Sequence, residues 1–303
     1  MTCMAPPGSP EIPQEIIDEV IDLCSREKKT LKACSLISRA WVYRTRKHLF
    51  SRLTLTDKTL PAWCSVVVTP TPGTRSAEHA HPHATCPSPS YTPSLLSSHV
   101  TSLHLAFTYP HTPSNPFEEA LLRADTNFTA FINLDSLTLS AISFIALQSA
   151  TIRACFGPFT KSVRELKLSV CSLDGKFFAF LKMFTHLEAL ELNGNTWTSR
   201  KLPEWTNVLP NGLPTLPGSF KASNITHAGI GLLDAISTMR AECHTITIGH
   251  SLSPTYQQFN ALFAKCKDHL ETLVLTAADS VCKRFVPSRE NRAEKSRSRG
   301  LRL

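Results

Sequence analysis

Histidine and cysteine are the residue types in this sequence that could do chemistry at a short spacing. His79, His81 and His83 alternate along one segment, and Cys86 follows them. Imidazole nitrogens and thiolates are the ligands that Zn²⁺ prefers in proteins, but a structural zinc site also needs ligands held by a turn and a second pair elsewhere. The sequence shows neither of these features. We therefore expect no metal site at these residues and no cofactor in the chain.

The sequence contains none of the familiar catalytic motifs. It has no Gly-rich phosphate loop, no Gly-x-Ser-x-Gly and no His-Glu-x-x-His. The ten cysteines are scattered without a Cys-x-x-Cys pair, which is typical of reduced thiols inside a cell. We find no secretory signal and no apolar run long enough to span a membrane. We expect a protein of the cytoplasm or nucleus that is not an enzyme.

The net charge of +8 is concentrated at one end of the chain. Residues 283–303 hold eight basic and two acidic residues, which leaves +2 for residues 1–282. This segment has almost no apolar pattern, so we expect a disordered basic tail. It is either a nuclear-localisation or RNA-contacting segment or a solvated tail without a specific partner. Because the body is nearly neutral, we do not expect nucleic acid to be the main partner.

Residues 56–98 are predicted to be a linker or an inserted loop. Their second part, residues 70–98, is rich in proline, serine and threonine. Such a segment buries too little apolar surface to offset the entropy lost on ordering. The linker would separate a small N-terminal part, residues 11–55, from a larger part, residues 99–282.

A short apolar pattern recurs through residues 99–282. The template is apolar-x-x-Leu-x-Leu, a strand whose alternate residues face one way. A weaker copy lies around Phe220-Lys221-Ala222, and the steps between copies are then 34, 29, 24, 30, 26 and 27 residues. The clear copies are Val100-Leu103-Leu105, Leu134-Leu137-Leu139, Val163-Leu166-Leu168, Leu187-Leu190-Leu192, Cys243-Ile246-Ile248 and Leu270-Leu273-Leu275.

The segments between these copies predict helices. Asn115-Pro116 and Ser253-Pro254 each place a capping residue before a proline, which favours a helix start. Two further apolar sets recur at helical spacing, one from Phe177 to Phe184 and one from Ile230 to Met239. Alternating strands and helices predict an α/β fold with a parallel sheet and helices behind it.

Three short amphipathic helices are predicted between Glu11 and Phe50. Pro13 stands where the first turn of a helix tolerates proline. We expect Thr30 to cap the second helix and the basic residues after Cys24 to complement the dipole of the first. The segment is either an ordinary three-helix subdomain or a docking module. The apolar stripe of the first helix consists of Ile16, Ile17, Val20, Ile21 and Cys24.

These helices resemble the F-box, in the version common in fungal F-box proteins. The matching motifs are IPQEIIDEVIDL, TLKACSLISRAW and RKHLF, in that order. In that family the module binds the Skp-type adaptor of a cullin–RING ubiquitin ligase. The resemblance implies a three-helix F-box-like module at residues 11–55. It assigns the adaptor contacts to Ile12, Pro13, Ile16, Ile17, Val20, Leu31, Leu36 and Trp41.

Two copies of the strand pattern extend further and resemble the leucine-rich repeat. Val163 to Leu173 gives V-x-x-L-x-L-x-x-C-x-L, and Leu187 to Trp197 gives L-x-x-L-x-L-x-x-N-x-W. In that family the Asn or Cys position satisfies backbone groups at the turn after the strand, so the resemblance gives Cys171 and Asn195 a structural role. It implies an irregular leucine-rich-repeat-like α/β solenoid with helices on its outer face. A generic α/β domain is the alternative.

Together the two resemblances imply a substrate-recognition adaptor of a Skp–cullin–F-box ubiquitin ligase, which would bind a target protein through its repeats. The alternatives are a repeat scaffold outside any ligase and a nucleic-acid-associated protein that acts through its basic tail. Residues 196–218 interrupt the repeats and hold Trp197 and Trp205 among several prolines. These tryptophans are predicted either to anchor the target or to fill the core.

The end of the repeat array is predicted to be open. The last strand pattern, ending at Leu275, runs through Val281 and Phe285 into the charged tail without a capping helix. A terminal repeat without a neighbour leaves an exposed apolar edge. We therefore expect the chain to dimerise or aggregate without its adaptor.

Overall fold

The computed structural model describes residues 12–67, 97–107, 128, 131–198, 214–225, 230–251, 256–276 and 282–285. The zinc-ligand types at positions 79–86, the Asn115-Pro116 and Ser253-Pro254 steps, Trp205 and most of the basic tail lie outside these residues. In the described part of the chain, none of the helices is long and apolar enough to cross a membrane.

The N-terminal part forms three helices: α1 (Gln14–Leu23), α2 (Lys28–Ile37) and α3 (Arg39–Phe50). Pro13 is the last extended residue before α1, where its missing N–H costs no helical hydrogen bond. The prediction that Thr30 caps α2 is wrong, because α2 begins two residues earlier. The Thr30 hydroxyl instead donates a hydrogen bond to Glu27 Oε2 at 2.8 Å. The interior of this part is small, and its buried residues are Ile21, Leu31, Cys34 and Thr45.

The described residues after α3 contribute thirteen strands, nine of which form one sheet. The sheet strands are β1 (Arg52–Thr56), β2 (Ser102–Ala106), β3 (Ser136–Ser140), β4 (Glu165–Ser169), β6 (Ala189–Asn193), β9 (Ser219–Ile225), β11 (Thr245–Ser251), β12 (Thr272–Thr276) and β13 (Cys282–Phe285). They lie side by side in chain order, and all neighbours pair in parallel except β12 and β13. The predicted α/β class with a parallel sheet is confirmed.

Short strands and helices connect the sheet strands. The strands β5 (Ser172–Leu173) and β7 (Thr196–Trp197) pair with each other, as do β8 (Thr215–Leu216) and β10 (Arg240–Ala241). The helices are α4 (Leu60–Val67), α5 (Ser149–Phe156), α6 (Lys176–Leu181), α7 (Ile230–Thr238) and α8 (Tyr256–Cys266), and a 3-10 turn, Gly157–Phe159, follows α5. The patterns predicted α6, α7 and α8, whereas α4 and α5 were not foreseen.

The core lies on one face of the sheet, where the predicted leucines stack in register. Leu103 pairs with Leu137, which pairs with Leu166, and the row continues through Leu190 and Phe220. Phenylalanines of the connecting segments fill the space behind this row. The ring centroid of Phe180 lies 5.0 Å from that of Phe144 and 5.2 Å from that of Phe156. These contacts make one continuous apolar interior.

Both edges of the sheet differ from the sequence-based expectation. Strand β1 pairs with β2, although its residues were placed in the helical module and the linker. At the other edge, β13 pairs antiparallel with β12, so the predicted open edge of β12 is wrong. The reason is that the first residues of the predicted tail supply the hydrogen-bonding groups of one more strand.

Candidate interaction surfaces

Helix α1 is apolar on two faces rather than on one. Ile21 is completely buried, and it lies one turn after Ile17 on the side that faces α3. Ile16, Val20 and Leu23 form a second row at the same helical spacing on the outside, where Ile16 is 50% and Leu23 81% exposed. The predicted single stripe therefore splits into an inward row and an outward row.

Helix α2 repeats this division. Leu31 and Cys34 are buried against the other helices, whereas Leu36 is 87% and Ile37 63% exposed. Leu31 therefore packs inside the helical part, and its assignment as an adaptor contact is wrong for this conformation. Of the remaining predicted adaptor residues, Ile12, Pro13, Ile16, Val20 and Leu36 are exposed, and Ile17 and Trp41 are half-buried.

A polar cluster fixes α1 against α3. The Asp22 carboxylate accepts hydrogen bonds from both Nε and Nη2 of Arg44, with Nε at 2.6 Å, and it lies 2.6 Å from His48 Nε2. The hydrogen bonds of Arg44 and then of His48 hold the pKa of Asp22 well below its usual range. This cluster sets the direction in which α1 presents its outward row.

The face of the sheet opposite the core carries mostly polar side chains. In β2, β3, β4 and β6 the residues that alternate with the buried leucines are half-exposed. His104 Nε2 lies 2.8 Å from Ser140 Oγ on the neighbouring strand. Burial lowers the pKa of His104, which favours the neutral ring at physiological pH.

A chain of opposite charges crosses the middle of this open face. Lys167 Nζ lies 3.1 Å from Glu165 and 3.9 Å from Glu191, and Lys221 Nζ lies 2.6 Å from the other oxygen of Glu191. The three strands involved are neighbours, so the pairs form a ladder across β4, β6 and β9. Such half-exposed pairs contribute little to stability, but they make this part of the face strongly polar.

A left-handed residue directly follows β3, β4 and β6, and Asn224 holds the equivalent position near the end of β9. Ala141, Val170, Gly194 and Asn224 have φ of 58, 56, 61 and 52°. The N–H of each of the first three donates to a carbonyl of the next sheet strand: Ala141 to Ser169 at 2.9 Å, Val170 to Asn193 at 2.7 Å and Gly194 to Ser223 at 3.0 Å. A β-branched residue such as Val170 is strained in this region, so the corner is imposed by the repeated sheet geometry.

The two structural residues suggested by the repeat pattern make the hydrogen bonds expected of them. Buried Asn195 accepts from the Cys171 N–H at 2.8 Å and donates from Nδ2 to the Leu168 carbonyl at 3.1 Å. The Cys171 thiol lies 3.5 Å from the carbonyl oxygens of Leu139 and Ser169, and burial raises its pKa to about 11. Both residues satisfy backbone groups at the corner.

The predicted target-binding tryptophans do not form a surface in the described structure. Trp197 is only 8% exposed, and its ring centroid lies 5.7 Å from that of Phe178. Its ring also fills the space beside Gly231, where an added Cβ would lie 2.7 Å from Trp197 Cδ1. Trp197 is therefore a core residue, and its assignment to target binding is wrong. Trp205 stays a prediction.

The described residues include a cleft at one end of the sheet. It has a volume of about 490 Å³, lies where the sheet strands begin and is lined by residues that include Leu187, Gly218, Glu242 and His244. Within the described ranges, no group of three or more His, Cys, Asp or Glu is placed to hold a metal ion. The two features that stand out are thus surfaces: the exposed apolar rows of α1 and α2, and the polar open face of the sheet.

Comparison with known proteins adds no family to this description. No model of a protein family matches the sequence, and no curated protein matches it. The site must therefore be interpreted from its own residues and geometry.

Proposed function

We propose that this chain is a substrate-recognition adaptor of a Skp–cullin–F-box ubiquitin ligase. In this proposal the N-terminal helices are an F-box-like module that binds the Skp-type adaptor. The sheet and its helices are an irregular leucine-rich-repeat-like solenoid that binds a target protein. The chain itself carries out no bond chemistry, and it acts in the cytoplasm or nucleus by holding lysines of the target near a ubiquitin-charged enzyme at a high effective concentration.

The observation that carries the proposal is the outward apolar row of α1. Ile16, Val20 and Leu23 are exposed although the same helix has an inward row that already holds it to α3. A group of large apolar side chains in contact with water is typical of a surface that a partner covers. The sequence motifs that resemble the F-box include Ile16 and Val20.

The solenoid part of the proposal is supported by a different set of contacts. Strands follow one another across the sheet in chain order, and Asn195 and Cys171 satisfy the corner in the manner that the leucine-rich-repeat resemblance implies. With Trp197 in the core, the open polar face of the sheet is the better candidate for target contact. A repeat scaffold outside any ligase would use the same face but would need no adaptor.

Adaptor binding by the full chain tests the proposal. Burying an isoleucine or valine contributes up to about 1.5–3 kcal/mol, and a buried unpaired carboxylate costs more. Ile16→Asp combined with Val20→Asp should therefore abolish binding of a Skp-type adaptor in titration calorimetry. The matched control is Ile132→Asp with Ile145→Asp, which alters two exposed isoleucines beyond the helices. Unchanged adaptor affinity in the first variant would contradict the proposal.

The scaffold and nucleic-acid alternatives give different results in the same experiment. A scaffold outside any ligase would bind a target but no Skp-type adaptor, in either the original chain or the variants. A nucleic-acid-associated protein would show salt-dependent RNA or DNA binding that disappears when residues 283–303 are deleted.

A further inference from the structure

The inner face of the sheet loses its cover at β12. In the sheet strands from β2 to β11, the two residues in register with Leu273 and Leu275 are at most 6% exposed. In β12 itself Leu273 is half-buried and Leu275 is 47% exposed. Leu270, which holds the first apolar position of the same repeat pattern, is also half-buried. We call Leu270, Leu273 and Leu275 the terminal face.

Strand β13 closes the backbone edge of β12 but leaves the terminal face in contact with water. In the described chain α5, α6, α7 and α8 each follow a sheet strand, whereas only residues 277–281 separate β12 from β13. A helix of that length would be about 7.5 Å long, which is too short to cover a strand. Residues 286–303 provide no apolar stripe, because their only apolar members are Val286, Ala293, Leu301 and Leu303. These two segments therefore do not supply the missing cover.

The neighbouring unit shows what kind of element such a cover is. Helix α8 places Phe259, Leu262 and Cys266 in the core at spacings of three and four residues, and each is at most 5% exposed. This helix follows β11, whose inward residues Ile246 and Ile248 belong to the same apolar interior. The element that β12 lacks is thus an amphipathic helix with apolar residues at the same spacing.

The charge beside the terminal face is positive. The charged residues from the end of α8 to the start of β12 cancel, and they are Lys265, Lys267, Asp268 and Glu271. Lys283 is the partner of Leu275 in the register of β12 and β13, and residues 283–303 carry a net charge of +6. A second copy of the chain would bring the same charge to the same place and would be repelled. Charge complementarity therefore favours an acidic partner.

We propose that the terminal face binds one amphipathic helix of another protein, with its apolar stripe on Leu273 and Leu275 and its carboxylates on the side next to β13. The docked helix would hold the place relative to β12 that α8 holds relative to β11. This inference goes beyond the proposed ligase and does not depend on it, because it uses the other end of the chain from the adaptor contacts. A nucleic acid would meet the positive charge but would leave Leu275 in contact with water.

The test uses the full chain and a fluorescent synthetic peptide of about 18 residues, which is long enough to form a helix. The peptide has leucine at helical spacing and glutamate at its other positions. We expect fluorescence anisotropy to show saturable binding that Leu275→Asp weakens at least about tenfold, since the aspartate places a charge in the apolar contact. The control is Ile132→Asp, which alters an exposed isoleucine away from β12 and should leave the dissociation constant within about twofold.

A second peptide with lysine in place of every glutamate tests the charge of the partner. At about 0.05 M salt it should bind at least about tenfold more weakly than the acidic peptide, and at about 0.5 M salt the difference should shrink because the Debye length is shorter. Leu275→Ala removes the apolar contact without adding a charge, and it should weaken binding of the acidic peptide about threefold or more. Urea midpoints check that both Leu275 variants stay folded.

Several results would overturn the inference. They are absence of binding by the acidic peptide, an affinity that neither Leu275 variant changes, and equal affinities for the two peptides at low salt. A dimer in light scattering that Leu275→Asp dissociates would show that a second copy covers the terminal face instead. None of these results would alter binding of the Skp-type adaptor by the original chain, so the proposed function stands or falls separately.

Discussion

The N-terminal helices and the nine-stranded sheet differ in how far their large apolar side chains are exposed to water. Seven of the eleven exposed large apolar residues in the described structure lie in residues 12–50, although this is much the smaller part. The other four exposed large apolar residues lie in the sheet part and are Ile132, Ile145, Val170 and Leu275. The sheet part buries most of its large apolar side chains, whereas the helices keep apolar surface in contact with water. That difference separates residues that maintain the fold from residues available to a partner.

Truncating a leucine in each region is the strongest way to test this contrast. Leu168→Ala removes a completely buried side chain of β4 and should lower the free energy of unfolding by about 2–5 kcal/mol. Leu36→Ala removes an exposed side chain of α2 and should change it by less than about 0.5 kcal/mol. Urea denaturation of the two variants measures both values. Similar losses would mean that Leu36 is covered within the chain.

The corner residue Asn195 should produce the next largest effect. Asn195→Ala leaves the Cys171 N–H and the Leu168 carbonyl buried without their partner, which costs about 1–3 kcal/mol. The control is Asn193→Ala, because Asn193 is half-buried and, among the described residues, its side chain bonds to the side chains of Ser223 and Asn224. We expect the control to cost clearly less. Equal losses in thermal or urea unfolding would contradict a special role for Asn195.

Substitutions at two of the left-handed positions should change the free energy of unfolding by a smaller amount and in opposite directions. Gly194→Val places a β-branched residue at φ 61° and should cost about 1–2 kcal/mol. Val170→Gly relieves the same strain at φ 56°, although added freedom in the unfolded chain offsets part of the gain. The unfolding free energy should thus fall in the first variant and stay constant or rise in the second. A loss in both would show that the Val170 side chain is needed for packing.

The smallest expected effect is that of acid on the helical part. We expect acid to weaken the helices before it weakens the sheet. The folded-state pKa of Asp22 is depressed, so its stabilising contribution is complete above its unfolded pKa of about 3.9 and is lost as the pH falls below it. Asp22→Asn should therefore be less stable than the original chain at pH 7, and the gap between them should narrow steadily as the pH falls below about 3.9. Urea midpoints across this range measure the difference. A gap that persists at low pH would mean that the Arg44 and His48 bonds do not depend on the charge of Asp22.

Much of the sheet was predictable because strand burial repeats every second residue. Leu137, Leu166 and Leu190 mark their strands without reference to the rest of the chain. The same template was present in Phe50, Leu53 and Leu55, but β1 was missed because fifty residues separate Leu55 from Leu105 and break the period. The register of the strands and their order in the sheet were not predictable in this way, because they depend on pairing between units that are far apart in the sequence.

The surfaces were harder to predict than the fold. In α1 the apolar residues occur on both sides, so the sequence does not say whether Ile21 or Val20 is inside; contact with α3 decides it. Trp197 was predicted either to anchor a target or to fill the core, because it lies in a segment that holds several prolines. Its place in the core depends on Gly231 of helix α7, because glycine has no Cβ and leaves room for the Trp197 ring.

The central claim is that the helices, and not the sheet, contact the Skp-type adaptor. Amide hydrogen exchange of the full chain with and without the adaptor tests it directly, because binding slows exchange where backbone is covered or held. We predict that added protection is confined to residues 12–50, with unchanged exchange in β3, β4 and β6. Protection centred on those strands, with α1 and α2 unaffected, would contradict the account.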